Sequence, residues 1–313
     1  MKEQEFCIFA FYQFKTTTNK LQLQKNLNSL SKKEKIKGIV LIADEGINGT
    51  VSGFIDGIKK LEEYLEKEDF ITLEKKYAYS SYMPFHRMKV KLKKEIITFG
   101  GEKVNVEKQT AEFVSPEDWN KLIDDPEVTL LDTRNLYETQ IGTFSDSEIL
   151  GIKTFTQLKE LVDKKILENK DKKIAMFCTG GIRCEKLSSY MIENGMKNVF
   201  QLKGGILKYL ENISAEQSKW EGECFVFDNR ISVKNELLKG EAIICPGCRY
   251  PVTPTDKTSY KYEDSVSCDN CYDRLSEQKK ENLRERKRQI QLSLSRNEPN
   301  RYIRVTPKEY HNS

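Results

Sequence analysis

The sequence predicts a multidomain α/β protein in three successive parts. Residues 1–112 form an α+β unit, residues 113–217 an α/β unit with a parallel sheet, and residues 218–313 a small cysteine-rich metal-binding region with a basic helical tail. Three observations predict this. A chain of 313 residues exceeds what one core usually holds. Strand and helix patterns alternate through the first two thirds. After about residue 218 the texture shifts to short polar stretches and two close pairs of cysteines.

In the first part, "FCIFAFYQF" (6–14) is aromatic and β-rich. "NKLQLQKNLNSLSKKEK" (19–35) places leucines at 21, 23, 27 and 30 and predicts a helix. "GIVLIADEGINGTVSG" (38–53) reads as two short strands around an Asp44-Glu45-Gly46 turn. "FIDGIKKLEEYLEKE" (54–68) carries apolar residues at 54, 55, 58, 61 and 65, a helical stripe. "ITLEKKYAYS" and "HRMKVKLKKEIITF" read as further strands. The order βαββαβ is that of a ferredoxin-like (acylphosphatase-like) sandwich, a fold that hosts many functions and names none.

In the second part, "SPEDWNKLI" opens a helix with Ser115 as N-cap and Pro116 in the first turn. "VTLLDTR" (128–134) is a continuous apolar run, as buried parallel strands are. "TFTQLKELVDKKI" is a helix and "KIAMF" (173–177) a second core strand. "RCEKLSSYMIENG" is a helix ended by Gly195, "NVFQL" a third strand, and "GGILKYLENI" the start of another helix.

The run "CTGGIRCEK" (178–186) lies between the second core strand and a helix. Cys178 therefore falls at the carboxyl end of a parallel strand, where open α/β sheets place their sites. Gly180 and Gly181 permit positive φ angles that turn successive N–H groups inward. The helix N-terminus adds partial positive charge and Arg183 a full one. All three favour a thiolate, so Cys178 is expected to be nucleophilic at neutral pH. The same cradle suits an anionic sulfur carried on that cysteine. A buried structural cysteine is the common fate of a lone one; here strand, Cys, Gly-Gly, Arg and helix agree against it. Cys184 leaves two readings open. It either resolves a persulfide or sulfenate on Cys178 as a disulfide, or faces the core from its helix.

"CTGGIR" resembles the active-site loop of a rhodanese (sulfurtransferase) domain. "LLDTRNLYETQIGTF" (130–144) and "QLKGGI" (201–206) resemble two further segments of that domain. The resemblance implies that Cys178 forms the persulfide and that Asp132 and Arg134 pair to buttress the loop. It departs at Cys184, where simple rhodaneses often have serine, and at "IGTFSDSEILGI", which lacks the "GHIPGA" style.

"GIVLIADEGINGTVSG", "CTGGIRCEK", "FVFDNRIS" (225–232) and the paired cysteines occur in one order. Together they resemble, over nearly the full length, the bacterial rhodanese-containing tRNA uridine hydroxylases. That resemblance implies oxygen-dependent hydroxylation of the wobble uridine to 5-hydroxyuridine. It also implies the tRNA anticodon loop as partner, dioxygen as co-substrate and Cys178 as the essential thiol, with Arg183 and Cys184 beside it as candidate catalytic residues. The alternative is a rhodanese-type sulfurtransferase carrying a cysteine persulfide received from a sulfur-donor protein. The flanking domains and basic tail weigh against it, since a sulfur carrier needs neither. A non-catalytic RNA-binding adaptor is disfavoured by the intact Cys178 and Arg183.

Other redox centres are poorly supplied. A two-histidine, one-carboxylate iron site would need both histidines of the chain, His86 and His311. No G-x-G-x-x-G opens a helix after a strand, so neither flavin nor nicotinamide is indicated. The reactive group is then the Cys178 sulfur itself.

Cys245, Cys248, Cys268 and Cys271 give C-x2-C-x19-C-x2-C. Two such pairs complete a tetrahedron of thiolates, the pattern of a structural zinc site, with iron as the alternative occupant. From Arg274 onward, eleven Lys and Arg face five Asp and Glu, so the tail alone carries +6 against +4 for the whole chain. A helix there with its "RERKR" turn is either a solvated charged face or a phosphate-binding one. "YAYSSYMPFHRMKVKLKK" (77–94) mixes aromatics with cations, as single-stranded RNA surfaces do, although strand-core aromatics read the same way. No apolar run approaches the ~18 to 20 residues of a membrane span. The start has no basic n-region or small-residue cleavage site, so no signal peptide is expected. The expected setting is cytoplasmic, with reduced thiols and neither membrane nor DNA as partner.

Overall fold

The computed structural model describes residues 5–101, 104–165 and 168–296. The tail beyond Arg296, with His311, lies outside the described residues, as does Ile166 at the end of one expected helix.

The first unit comprises β1 (Phe6–Phe14), α1 (Lys20–Lys33), β2 (Lys37–Ala43), β3 (Gly46–Gly53), α2 (Ile55–Lys67), β4 (Glu74–Ser80) and β5 (Met88–Leu92). One five-stranded sheet has the order β4-β1-β3-β2-β5. The first four strands are antiparallel and follow the expected ferredoxin-like order. β5 adds a fifth strand, parallel to β2, so the chain runs one strand beyond βαββαβ. Alternation along β1 decides the rest. Cys7, Phe9 and Phe11 join Leu23 and Leu27 of α1 and Leu61 and Leu65 of α2 in one core. Each such leucine contributes roughly 1.5–3 kcal/mol by leaving water. Ile8, Ala10 and Tyr12 point the other way, onto the sheet face the helices leave open.

The second unit contains β6 (Glu112–Val114), α3 (Pro116–Ile123), β7 (Val128–Asp132), α4 (Leu136–Thr139), β8 (Gly142–Phe144), β9 (Glu148–Ile149), α5 (Thr156–Lys165), β10 (Lys173–Phe177), α6 (Ile182–Glu193), β11 (Asn198–Leu202) and α7 (Gly205–Asn212). Its parallel sheet has the order β6-β11-β10-β7-β9, with β10 in the middle. Ser115 caps α3 by accepting the Asp118 N–H at 3.2 Å. Ile174 and Met176 pack with Leu158, Val162, Leu187 and Met191 from α5 and α6. Ala175 and Phe177 pack with Trp119, Ile206 and Tyr209 from α3 and α7. Helices therefore cover both faces of a sheet whose central strand ends at Cys178.

The third segment begins with β12 (Trp220–Gly222), which pairs antiparallel with β8. Trp220, Cys224, Val226 and Val233 share a core with Phe144 and Phe177. The composition changes near residue 218, but the core of the central unit runs on to Val233, so the expected edge at 217 falls inside one packed body. The hairpins β13 (Cys224–Phe225) with β14 (Ser232–Val233) and β15 (Ile243–Ile244) with β16 (Pro251–Val252) follow, then α8 (Glu277–Ser295). Several tail cations are paired rather than displayed. Arg284 contacts Glu263 at 2.6 Å, Lys287 contacts Asp264 at 2.9 Å, and Arg288 contacts Glu285 at 2.9 Å. Among the described residues, no helix is long and apolar enough to cross a membrane.

Lys186 of α6 joins the first two units. It is fully buried and donates to Glu45 at 2.8 Å, Glu95 at 2.7 Å and the Ile97 carbonyl at 3.0 Å.

Candidate active site

The thiol loop spans Cys178 to Gly181, between β10 and α6. The Gly181 N–H donates to Cys178 Sγ at 3.0 Å. Gly181 has φ +105°, and a Cβ there would sit 2.7 Å from the Tyr12 hydroxyl, so any side chain at this position is strained and crowds Tyr12. The loop is closed from behind by the start of α7. Ile206 N–H donates to the Cys178 carbonyl at 3.0 Å and Leu207 N–H to that of Thr179 at 3.2 Å. A Cβ on Gly205 would lie 2.5 Å from the Cys178 carbonyl oxygen, which explains the second glycine of "QLKGGI".

Burial alone would raise the Cys178 thiol. The Cys184 thiol hydrogen bond, the Arg183 charge and the N–H groups of residues 183 and 184 outweigh it and bring Cys178 down to about 5. Burial and the neighbouring thiolate hold Cys184 well above its ordinary range, so it stays a thiol and a donor. Cys184 is 1% exposed and sits in the core against Thr133. Cys184 thus faces the core from its helix, in the same buried cluster as Cys178.

Arg183 is not the free cation its position suggests. Its Nη2 donates to Glu138 Oε2 at 2.9 Å, and Glu138 is wholly buried. Glu138 also accepts from the Asn135 backbone and the Thr179 hydroxyl. The signal for Glu138 is the N-x-x-E spacing of "NLYE", a capping box that places its carboxylate at the helix start. Asp132 and Arg134 form the expected ion pair, fully buried at 2.6 Å, and Arg134 also donates to the Gly142 carbonyl. They brace the strand ends and do not reach the thiol.

The open face of the first sheet supplies groups that local patterns conceal. Tyr12 donates to Glu185. Lys76 Nζ donates to the Gly180 carbonyl at 2.6 Å. Burial lowers the Lys76 ammonium, while Glu74 and Cys178 oppose that. Burial raises Glu185 to about 7, against the Tyr12 hydrogen bond. A cavity of about 360 Å³ lies between the domains. Ile8, Tyr12 and Leu41 line it from the sheet, Gly180 and Arg183 from the thiol loop, and Phe227 from "FVFDNRIS". Phe227 is 53% exposed, and the Arg183 guanidinium lies 5.8 Å from its ring. Arg183 Nη1 is buried without a protein partner.

The four other predicted ligands form a separate cluster. Cys245 and Cys271 Sγ lie 3.6 Å apart, Cys248 and Cys268 3.6 Å, and Cys268 and Cys271 3.9 Å, with all four within 4.8 Å of one another. A tetrahedron with bonds of about 2.3 Å has edges of roughly 3.8 Å, so the thiolates fit zinc. With all four vertices taken by protein, such an ion would be structural.

A parallel sheet whose central strand ends in a cradled, low-pKa cysteine defines a rhodanese-type domain, here joined to an acylphosphatase-like one. Residues 115–212 match the Rhodanese-like domain and residues 6–96 the UPF0176 acylphosphatase like domain. Over 296 residues the chain is 51% identical to the tRNA uridine(34) hydroxylase of Bartonella quintana (strain Toulouse), covering 94% of this chain and 97% of that one. The proteins of the same name from Bartonella bacilliformis and Bartonella henselae are each 49% identical over the same shares. The chain belongs to the tRNA uridine(34) hydroxylase family.

Proposed function

We propose that this protein hydroxylates uridine 34 of tRNA at C5, one atom of dioxygen entering the base and the other leaving as water with two electrons and two protons from a thiol reductant, with Cys178 as its reactive group. The observation that carries the assignment of Cys178 is a thiolate-favouring loop that opens, through Thr179, Gly180 and Arg183, onto an interdomain cavity. At about 360 Å³ that cavity has the size of a small-molecule site. An anticodon-loop base can be splayed out of its stack and held against an aromatic face, and Phe227 offers one. The unpartnered Arg183 Nη1 is left for a carbonyl oxygen, of which uracil has two. Arg183 thus positions the base and sustains the thiolate, and Cys184 stabilises that thiolate as a donor. The four-cysteine cluster would hold zinc in a structural role.

The test is to incubate purified protein with unmodified tRNA and an excess of a thiol reductant, in air and under argon, then digest and measure nucleosides by exact mass and chromatography. Gain of one oxygen in air and none under argon is the expected result. Replacement of an oxygen by sulfur in either gas would transfer the case to persulfide-based sulfur transfer. No product in air from folded protein would overturn the assignment.

A further inference from the structure

The cavity continues beyond the base site. Ile39, Val226, Phe227 and Asp228 also line a wider cleft of about 810 Å³, so the two form one depression. The cleft gathers cations from three distant parts of the chain. Arg87 and Lys89 come from β5 and the turn before it, Lys153 precedes α5, and Arg249 follows the metal-binding Cys248. Lys89 pairs with Ile39 in the sheet register, which puts both on the cavity face. Arg87, Lys153 and Arg249 are exposed.

Among the described residues, none of these four has a carboxylate within 4.0 Å. Asp228, the one acid in the lining, is held by Arg230 at 2.8 Å. The contrast is with α8, where Arg284, Lys287 and Arg288 all have acidic partners. Like charges collected in a concave, partly apolar wall repel one another, and a polyanion removes that cost. Aromatic surface lies among them. Tyr137 meets Phe225 and Tyr250 edge-on at 5.2 and 5.9 Å, and Phe85 lines the same cleft.

We propose that this cleft is the track for the single-stranded nucleotides next to the target uridine. Arg87, Lys89, Lys153 and Arg249 take their phosphates, and the aromatic wall takes a flanking base. This rests on the tRNA reading above. The neighbours of a flipped loop base are themselves unpaired, so their phosphates and π-faces are free for a cation-lined groove with interleaved aromatics. Phosphate contacts position the strand. They come from the first domain, the central unit and the metal module together, so the RNA site exists only in the assembled chain.

The experiment uses full-length, metal-loaded protein and a synthetic anticodon stem-loop with an unmodified wobble uridine. Binding is followed by fluorescence anisotropy across a salt series. Arg87→Ala, Lys153→Ala and Arg249→Ala should each weaken binding by roughly 3- to 10-fold, and the triple variant should reduce the log–log salt slope by about 2. In turnover, KM should rise by a similar factor while kcat at saturating RNA stays near wild type. Lys197→Ala, whose ammonium is paired with Asp171 elsewhere, should bind as wild type. The side chains changed are exposed, and the three single variants report separately should the triple variant misfold. Wild-type protein that converts tRNA, with cleft variants unchanged in affinity and slope, would overturn this inference and leave the hydroxylase reading standing. Wild-type protein that neither binds nor converts tRNA would overturn both.

Discussion

Tyr12 and Glu185, 173 positions apart in sequence, meet in a 2.5 Å hydrogen bond in which the phenol donates to the carboxylate. The contact ties the first strand of one domain to the helix that begins at the thiol loop of the other. Burial raises Glu185 from 4.5 to about 7, with Glu74 and Cys178 adding to the rise. Between those values the unfolded state has released its proton and the folded state retains it, so stability falls as pH rises through that window. Glu185→Gln should flatten the loss and stabilise the protein above pH 7, by at most about 3 kcal/mol. Thermal melts of both proteins across the pH range check this, and a wild-type slope preserved in the variant would refute it.

Cys178→Ser should abolish hydroxylation by several orders of magnitude and leave the fold intact, because a hydroxyl neither ionises near neutrality nor carries sulfur. The activity of the parent should fall on an acidic limb near pH 5, where the thiolate is protonated. The stability sign also follows. The folded thiol titrates at about 5, well below its ordinary value of about 9, so its contribution is full above pH 9 and lost as pH falls through 5. Cys178→Ser should therefore melt closest to wild type in acid and fall furthest behind in alkali.

Cys184→Ser keeps a hydrogen-bond donor beside Cys178 and should cost only about tenfold in rate. A variant as inactive as Cys178→Ser would show that both thiols change oxidation state in each turnover.

Lys186→Ala would leave Glu45 and Glu95, both in the first unit, unpaired beside each other at the domain junction. Removing one partner from a buried ion network typically costs about 3 kcal/mol or more. Urea unfolding should show that loss. Hydrogen exchange should rise first at the β2–β3 turn and residues 95–99, where the ammonium is bound.

Chelation of the metal expected at Cys245, Cys248, Cys268 and Cys271 should loosen residues from about 240 to 275 and spare β10 and α6, because such binding energy is folding energy. Hydrogen exchange with and without chelator measures this. Freshly isolated protein with neither zinc nor iron by elemental analysis would refute the site.

The thiol loop was legible in the sequence because its parts are consecutive. An apolar strand, a cysteine, two glycines and a helix start dictate a local conformation with little help from elsewhere. The cysteine quartet was legible for the same reason, as two short-range clamps. The order of the first four strands followed from their patterns, whereas β5 joined a sheet edge that local pattern could not specify. The tail cations were read for their charge, and the carboxylates that pair with Arg284, Lys287 and Arg288 became visible only in space.

The sequence by itself determined the elements, the place of Cys178 at a strand end, the pairing of four cysteines in one cluster and the family. Tertiary structure decided the rest of the site. Period-two alternation assigns Tyr12 to the face opposite Phe11, but only docking against α6 makes that face a cavity wall. Glu138 becomes the partner of Arg183, and Tyr12 and Lys76 become neighbours of the thiol loop, through contacts spanning 45 to 173 positions. Electrostatic environment depends on distance through space and on exclusion of water, and neither is encoded in the spacing of residues along a chain.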